Sequence, residues 1–233
     1  MEPLSIVIPT RRLDAALRER ARVNASRAVA SEVIVVEPDD APALPSPPAL
    51  PEGWRLLTAR RGRGTQSAEG VRSATGDLLM ILHDDTDLPA GAGETIRAAF
   101  ADPSVGMACF RLRFDRRHWL LRLYESCSRI ESPLTTFGDQ AMVLRRSVYH
   151  AVGGFPAWPL FEDVELARRV RRSSRIIKLT SAVTTSALRF TANGALRQQV
   201  ANGVLLGRFL LGASPERLAA LYERGVSRQG EQP

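Results

Sequence analysis

The chain has 233 residues, which is enough for one α/β domain with a full core or for two small domains. Its hydrophobic content of 44% and charged content of 24% are those of an ordinary globular protein. The formal net charge is +7, and arginine carries nearly all of the positive charge because Lys178 is the only lysine. The arginines form pairs such as Arg60-Arg61 rather than long basic runs with interleaved aromatic residues, which argues against a nucleic-acid partner.

Cysteine usage and hydropathy exclude further classes. Cys109 and Cys127 lie far apart without a CxxC spacing, so we expect neither a zinc site nor a disulfide framework. The N-terminus runs from Met1 directly into an apolar strand and lacks the pattern of a signal peptide. No apolar run approaches the ~20 residues that a membrane-spanning helix needs. We therefore expect a cytoplasmic protein.

The first half of the chain alternates between strand-like and helix-like segments. Short apolar runs predict strands at residues 4–8, 32–36, 54–58 and 78–82. Helical spacing of apolar residues predicts helices at 13–30, 65–74 and 91–101, and the proline-dense residues 41–51 predict a loop. This alternation indicates βαβ units and a mostly parallel sheet.

The second half predicts a different arrangement. Residues 105–114 alternate with a period of two, and 140–144 are apolar, so both are predicted strands, with one or two short strands in 175–187. Helices are predicted at 119–130, 161–172, 195–211 and 215–222. We see no internal repeat or linker and predict one domain over residues 1–226, followed by a disordered tail at 227–233.

A cluster of acids follows the fourth predicted strand. His83, Asp84, Asp85 and Asp87 come directly after the apolar run. Three carboxylates so close together repel one another unless a cation lies among them, and a divalent metal with a diphosphate suits this position. The alternative is an acidic surface turn. Ligands bind outside the carboxyl ends of parallel strands, and the first two strands also end in polar residues, so we expect a site at this edge.

Five motifs in order make the chain resemble the family 2 glycosyltransferases of the GT-A fold, and in particular a small, bacterial, single-domain subgroup of mostly unassigned substrate. The motifs are Ser5-Ile6-Val7-Ile8-Pro9, Gly76-Asp77-Leu78-Leu79, Gly138-Asp139-Gln140, Arg145-Arg146-Ser147 with Val152-Gly153-Gly154-Phe155-Pro156, and Glu162-Asp163-Val164-Glu165-Leu166-Ala167-Arg168-Arg169. Each motif alone is weak. The resemblance implies a mostly parallel central sheet flanked by helices, with residues 1–104 as the nucleotide-binding half, 105–190 as the acceptor and catalytic half, and 191–226 as C-terminal helices.

The resemblance implies a metal site. Asp85 takes the position of the metal-contacting carboxylate, and His83 falls where the family usually has its first aspartate. Mn²⁺ or Mg²⁺ there would bridge the protein and the diphosphate, and a histidine ligand would favour Mn²⁺. The alternative for His83 is a hydrogen-bonded histidine at the end of a strand. Asp84 is an additional acid in this motif. It is either a second ligand in the donor site or a solvent-exposed residue.

The resemblance also implies the catalytic pair. Asp163 would be the general base that takes a proton from the acceptor hydroxyl, and Glu162 would be its orienting neighbour. The displacement would be one-step and would invert the configuration of the sugar. The alternative is helix capping, because acids in a first helical turn favourably meet the helix dipole.

Donor-binding residues follow from the same resemblance. Arg61 or Arg63 matches a basic position near the diphosphate, and glycine-flanked arginines before a helix suit phosphate. Positions that usually hold the nucleoside are matched by Pro9, Thr10 and Glu37. Asp139 and Gln140 match a wall that faces the donor sugar or the acceptor. The stretch Glu37-Pro38-Asp39-Asp40 departs from the family pattern. The departure leaves open which nucleotide the donor carries and whether the donor site is weakened.

The sequence therefore predicts a metal-dependent, inverting glycosyltransferase that uses a nucleotide-diphosphate sugar, with a UDP-sugar as the leading expectation, and an unidentified hydroxyl acceptor. The apolar residues 200–211 fit two arrangements: a helix lying on the inner face of the membrane beside a lipid-linked acceptor, or the more common helix that packs on its own core or on a second copy in a homodimer. Two other functions stay open. One is a nucleotidyltransferase, and the other is a non-catalytic nucleotide-sugar-binding protein on a decayed transferase fold.

Overall fold

The computed structural model describes residues 2–42, 49–187 and 195–227. The middle of the predicted proline-dense loop, residues 43–48, and the tail residues 228–233 lie outside the described residues. Within these ranges no helix has both the length and the apolarity that crossing a bilayer requires.

A sheet of eight strands, counted over the described residues, forms the centre of the fold. The strands are β1 (Leu4–Pro9), β2 (Glu32–Pro38), β3 (Trp54–Ala59), β4 (Leu78–Ile81), β5 (Thr86–Asp87), β6 (Val105–Phe114), β7 (Met142–Arg145) and β8 (Arg175–Thr185). They lie in the order β3-β2-β1-β4-β7-β6-β8-β5. Every predicted strand is present, residues 175–187 contain one long strand rather than two, and the two-residue β5 was not predicted.

The prediction of a mostly parallel sheet was wrong, because the sheet is mixed. β1 pairs in parallel with β2 and β4, β2 with β3, and β6 with β8. The pairs β4–β7, β6–β7 and β5–β8 are antiparallel. The reversal of β7 follows from the connection before it. The chain stays at the carboxyl end of β6, where Glu125 and Ser128 accept backbone N–H groups of Phe114 and Leu112, so β7 has to run back through the sheet.

Helices cover both faces of the sheet. They are α1 (Ala15–Ala28), α2 (Arg63–Ser73), α3 (Ala92–Phe100), α4 (Trp119–Cys127), α5 (Arg146–Ala151), α6 (Glu162–Val170), α7 (Ala195–Leu210) and α8 (Pro215–Ser227), with a 3₁₀ turn at Gly138–Gln140. On one face, Ile6 and Ile8 of β1 belong to the same core as α1 and α3. On the other face, Val7 packs in a core with α2, α5 and α6. Burial on both faces explains why the first strands read as continuous apolar runs.

The amino edge of the sheet carries a structural carboxylate. Glu32 is buried, and its Oε1 accepts hydrogen bonds from Ser5 Oγ at 2.6 Å and Thr75 Oγ1 at 2.9 Å, while Oε2 pairs with Arg55. Burial alone would raise the pKa of Glu32, but the hydrogen bonds from Ser5, Thr75 and Arg55 outweigh it and lower the pKa to about 2. This acid ties the starts of β1, β2 and β4 together, far along the strands from the carboxyl edge.

Candidate functional site

The ends of β1 and β4 are joined by a side-chain hydrogen bond. Thr10, which follows β1, donates from Oγ1 to Asp84 Oδ2 at 2.8 Å, and the same hydroxyl accepts the Arg12 backbone N–H at 3.3 Å. Pro9 is the last residue of β1 and is buried. The predicted donor residues Pro9, Thr10 and Asp84 are thus brought together at the carboxyl edge of the sheet.

Glu37 shapes the loop after β1. Its side chain is 8% exposed, and Oε1 accepts the backbone N–H of Leu13. Gln66 of α2 supports the same region, because its Nε2 donates to the carbonyl oxygens of Thr10 and Val36, each at 2.7 Å. Sequence reasoning missed Gln66. Its only signal is a polar residue at an inward-facing position of a short helix.

Asp85 is held by hydroxyl groups from two strands. Its Oδ1 accepts from Thr86 Oγ1 at 3.4 Å and from Thr185 Oγ1 at 3.3 Å. Arg20 of α1 braces the same turn, because it donates to the Asp84 carbonyl oxygen at 2.9 Å and pairs with Asp87 at 3.3 Å. Among the described residues, Asp87 is therefore the acid of this cluster that forms an ion pair with an arginine.

Gly138 of the 3₁₀ turn lies next to His83, which follows β4, and next to Asp163 of α6. Gly138 N donates to Asp163 Oδ2, while Val164 N donates to Asp163 Oδ1 at 2.8 Å. A Cβ at position 138 would lie 3.0 Å from Asp163 Oδ2 and 3.1 Å from His83 Nε2. The expected metal ligand and the expected base thus flank one glycine, although 80 residue positions separate them in the chain (163 minus 83). One oxygen of Asp163 thus accepts the N–H of the next residue in α6, and the other accepts the N–H of Gly138 in the 3₁₀ turn.

Asp139 has an unsatisfied oxygen in this region. Its Oδ1 is inaccessible to solvent and has no hydrogen-bond partner among the described residues. Burial and then the negative charge of Asp163 raise the pKa of Asp139 to about 7, with Asp85 adding to the shift and Lys178 and Arg63 opposing it. A buried, unpartnered carboxyl oxygen next to other acids is costly for stability, and such groups concentrate at functional sites.

Glu162 is a further buried acid beside Asp163, and Arg63 is the positively charged residue that acts on it. Glu162 is 3% exposed, and burial followed by the charge of Asp163 raises its pKa, while the positive charge of Arg63 opposes the shift. Arg63 opens α2, whose next residue, Gly64, packs so closely on α6 that a Cβ there would lie 3.1 Å from Glu162 Cβ. Arg61, the other candidate of the loop, instead pairs with Asp40.

The residue before Glu162 and Asp163 has an unusual backbone. Phe161 has φ +63°, a left-handed conformation that is uncommon for a bulky side chain. Its ring stacks on the ring of Phe209 in α7, with centroids 4.8 Å apart. Trp158 packs edge-on against the ring of Phe209, with centroids 6.0 Å apart. These aromatic contacts fix the turn from which Glu162 and Asp163 emerge.

Gln140 lies beneath the site. Its side chain is fully buried, Nε2 donates to the Thr135 carbonyl oxygen at 2.7 Å, and Oε1 accepts from Lys178 Nζ. Both ends of its amide are therefore occupied by the protein. Lys178 was missed as a site residue, although a single lysine within an apolar strand was a signal available in the sequence.

Tyr124 of α4 is a further neighbour that sequence reasoning missed. Its ring stacks on Phe137 with centroids 6.4 Å apart. Burial raises the pKa of its hydroxyl well above the ordinary range, and the charges of Asp139 and Asp163 add to the shift. The inner side of α4 thus forms one wall beside the acids.

The side chains of His83 and Asp85, after the end of β4, are of the types that could hold a divalent metal bound to phosphate. The described residues contain no cluster of three or more His, Cys, Asp or Glu side chains arranged for a metal. Mg²⁺ and Mn²⁺ in nucleotide sites use only one or two protein groups, together with phosphate oxygens and water. The half-exposed Asp85 and His83 provide a carboxylate and an imidazole of this kind.

Comparisons with known proteins support the fold. No family model and no curated protein matched the chain. Among solved structures, the mannosyltransferase PcManGT from Pyrobaculum calidifontis, in complex with GDP-Man and Mn²⁺, matches with 18% identity and a TM-score of 0.58, over 92% of this chain and 66% of that one. S. aureus TarS 1-349 matches with 11% identity and a TM-score of 0.60, over 82% and 62% of the two chains.

The same TarS fragment in complex with UDP matches with 12% identity and a TM-score of 0.61, over 79% of this chain and 60% of that one. The chain therefore spans slightly less than two thirds of the length of these matched chains. At these identities the comparisons establish architecture. The chain has the fold of GT-A-like glycosyltransferases, as its sequence motifs suggested.

Proposed function

We propose that this protein is a metal-dependent, inverting glycosyltransferase that uses a nucleotide-diphosphate sugar as its donor. The observation that carries the proposal is the junction at Gly138, where His83 Nε2 and Asp163 Oδ2 flank one backbone position. The fold likeness supports it, since PcManGT was solved with GDP-Man and Mn²⁺ and TarS with UDP.

The donor would lie across the ends of β1 and β4. Thr10, Asp84 and Glu37 form the edge that would hold the nucleoside, and Arg63 would face the diphosphate. A group of acids repels a diphosphate unless its charge is reduced. Here the raised pKa values of Asp139 and Glu162 reduce the negative charge that these acids carry near neutral pH, and Arg63 adds a positive charge.

His83 and Asp85 are the residues that would hold the divalent cation. When bound, that cation would neutralise the negative charge that develops on the leaving diphosphate. The threonine hydroxyls that donate to Asp85 Oδ1 fix the orientation of its carboxylate. Holding one carboxylate in place in advance reduces the reorganisation that binding requires.

Asp163 would act on the acceptor. The acceptor oxygen attacks the anomeric carbon, the bond from that carbon to the diphosphate oxygen breaks, and the hydroxyl proton passes to the Asp163 carboxylate. A single displacement of this kind inverts the configuration. The N–H groups of Gly138 and Val164 orient both oxygens of Asp163, and the raised pKa of Glu162 limits repulsion between the two neighbouring acids.

The donor step can be tested by thermal denaturation with GDP-, UDP-, CDP- and dTDP-sugars, with and without Mn²⁺. A donor present at ~100 times its dissociation constant should stabilise the protein by ~2.7 kcal/mol. We expect one nucleotide to stabilise only with metal, and Asp85→Ala to remove the effect. Asp77→Ala is the matched control, because Asp77 is exposed and lies just before β4, at the opposite end of that strand from Asp85.

The base can be tested separately. With a stabilising donor identified, Asp163→Asn should keep donor binding and lose release of the nucleoside diphosphate by about 100-fold or more, the contribution typical of general bases. Binding without turnover in the wild type would support a non-catalytic binding protein instead. Release of pyrophosphate would point to a nucleotidyltransferase.

A further inference from the structure

An apolar surface is exposed on and just after α4. Trp119, Leu123, Ile130 and Leu134 have exposed fractions of 66%, 56%, 63% and 59%, and we call these four residues the α4 face. Trp119 and Leu123 are one turn apart on the outer side of the helix. The buried Leu121, on the inner side, belongs to the core. Single exposed apolar residues are common, but four in one short segment indicate an interaction surface.

Five exposed arginines lie in the same stretch of chain as the α4 face. Within residues 113–134 they are Arg113, Arg116, Arg117, Arg122 and Arg129. None of the five forms an ion pair with any residue in the part of the chain that the structure describes. The acids of this stretch are engaged elsewhere: Glu131 pairs with Arg171, while Glu125 and Asp115 accept the backbone N–H groups of Phe114 and Ala187.

We propose that the α4 face binds the surface of a membrane that contains anionic phospholipids. A tryptophan and three aliphatic side chains suit the boundary between headgroups and acyl chains, and the arginines of the same stretch suit lipid phosphates. Long arginine stems can lie along the apolar surface while the guanidinium groups reach the headgroups. This inference does not depend on the transfer reaction.

The positive charge of this stretch favours an anionic membrane surface over a second copy of the chain as the binding partner of the α4 face. A two-fold dimer through the α4 face would place the same unpaired arginines of both copies against each other. Like charges brought together at an interface oppose association, whereas an anionic lipid surface attracts all of them at once. The arrangement therefore favours lipid over self-association.

The neighbouring helix α7 contributes further exposed residues. It packs against α4, and its Val200 and Val204 are 58% and 48% exposed, while its Leu205 is buried. Leu211, the residue after α7, is 90% exposed. Residues 200–211 thus have one side packed on the protein and one side exposed. Because Tyr124 on the inner side of α4 borders the acids, a membrane on the outer side would lie close to the candidate site.

The test is flotation of the full-length protein with vesicles of phosphatidylcholine alone and of phosphatidylcholine with phosphatidylglycerol. We expect binding only to the anionic vesicles, weakened by salt. Arg116→Gln with Arg117→Gln should weaken binding about thirtyfold, at about fivefold for each arginine. Trp119→Ser with Leu123→Ser should also reduce it. All four side chains are exposed, so thermal denaturation should show folded variants.

Matched controls separate this surface from the overall charge of +7. Arg22→Gln with Arg72→Gln removes the same charge from exposed sites on α1 and α2, and Val29→Ser removes an apolar side chain that is 61% exposed after α1. Both controls should bind vesicles like the wild type. Equal loss in the controls, equal binding to neutral vesicles, or no vesicle binding at all would overturn the proposal. So would a dimer in light scattering that Trp119→Ser with Leu123→Ser dissociates while vesicle binding is unchanged.

Discussion

Replacing Asp139 by asparagine should make the protein more stable, with a gain that grows from acidic pH and is complete above about pH 7. Asp139 has an ordinary pKa near 3.8, which burial and the charge of Asp163 raise to about 7 in the folded protein. The folded state therefore binds this proton more tightly than the unfolded state does. Ionising Asp139 costs stability progressively as the pH rises from its ordinary pKa to about 7, and the full cost persists above that.

The magnitude follows from the pKa difference. A shift from 3.8 to about 7 corresponds to a cost of at most about 4 kcal/mol. Asparagine has nearly the same shape and does not ionise, so Asp139→Asn should be more stable than the wild type by up to that amount at about pH 8, and by almost nothing at about pH 3. The Oδ1 of the wild type accepts no hydrogen bond from the described residues that the substitution would remove.

Urea denaturation at several pH values measures this difference directly. A chelator should be present, because a cation at Asp85 would change the charge that Asp139 experiences. Asp77→Asn, an exposed acid on the other edge, is the control and should show no such trend. If Asp139→Asn shifted stability equally at every pH, or destabilised the protein above neutrality, the electrostatic reasoning would be refuted.

Three further changes test other parts of the structure. Glu32→Gln should cost at most about 3 kcal/mol at neutral pH, and the gap to the wild type should close as the pH falls from about 4.5 towards the lowered pKa of about 2, which acid titration of thermal unfolding measures. Gly138→Ala should lower nucleoside diphosphate release at least tenfold with little loss of stability, since its Cβ would press on His83 and Asp163; unchanged turnover would contradict the assigned junction. Gly203→Ala should stabilise α7 by about 1 kcal/mol in thermal unfolding, because nothing lies within 4 Å of the added Cβ, and a loss of stability would contradict the helix packing.

Much of the fold could be predicted because its signals are local. Continuous apolar runs such as residues 4–8 reflect strands buried on both faces, and α1 begins after Asp14, whose carboxylate accepts the Leu17 N–H. The short α5 was missed because it follows β7 without a break, with Arg145 as the last residue of the strand and Arg146 as the first of the helix. The direction of β7 was missed because it depends on where the preceding connection lies, which no local pattern records.

In the candidate site, too, the residues with a local sequence signal could be predicted, and those that depend on distant contacts could not. The acids after β4 were visible as a repulsive cluster in the sequence. The supports of the site were not, because Gln66, Lys178 and Thr185 act through contacts between residues distant in the chain. Glu37 occupies its predicted position at the end of β2, yet its contact with the Leu13 backbone is a property of the folded loop. Its role in holding a nucleoside stays a prediction.

The proposed function requires the carboxyl edge of the sheet to bind a nucleotide-sugar donor. Titration of ¹⁵N-labelled protein with Mg²⁺ and the stabilising nucleotide, followed by backbone NMR, tests this binding residue by residue. We expect shifted amide signals at Thr10, Asp84 and Gly138, with Ser5 and Gly76 at the amino edge unchanged. Shifts confined to the amino edge, or saturable binding that leaves Gly138 and its neighbours unaffected, would contradict it.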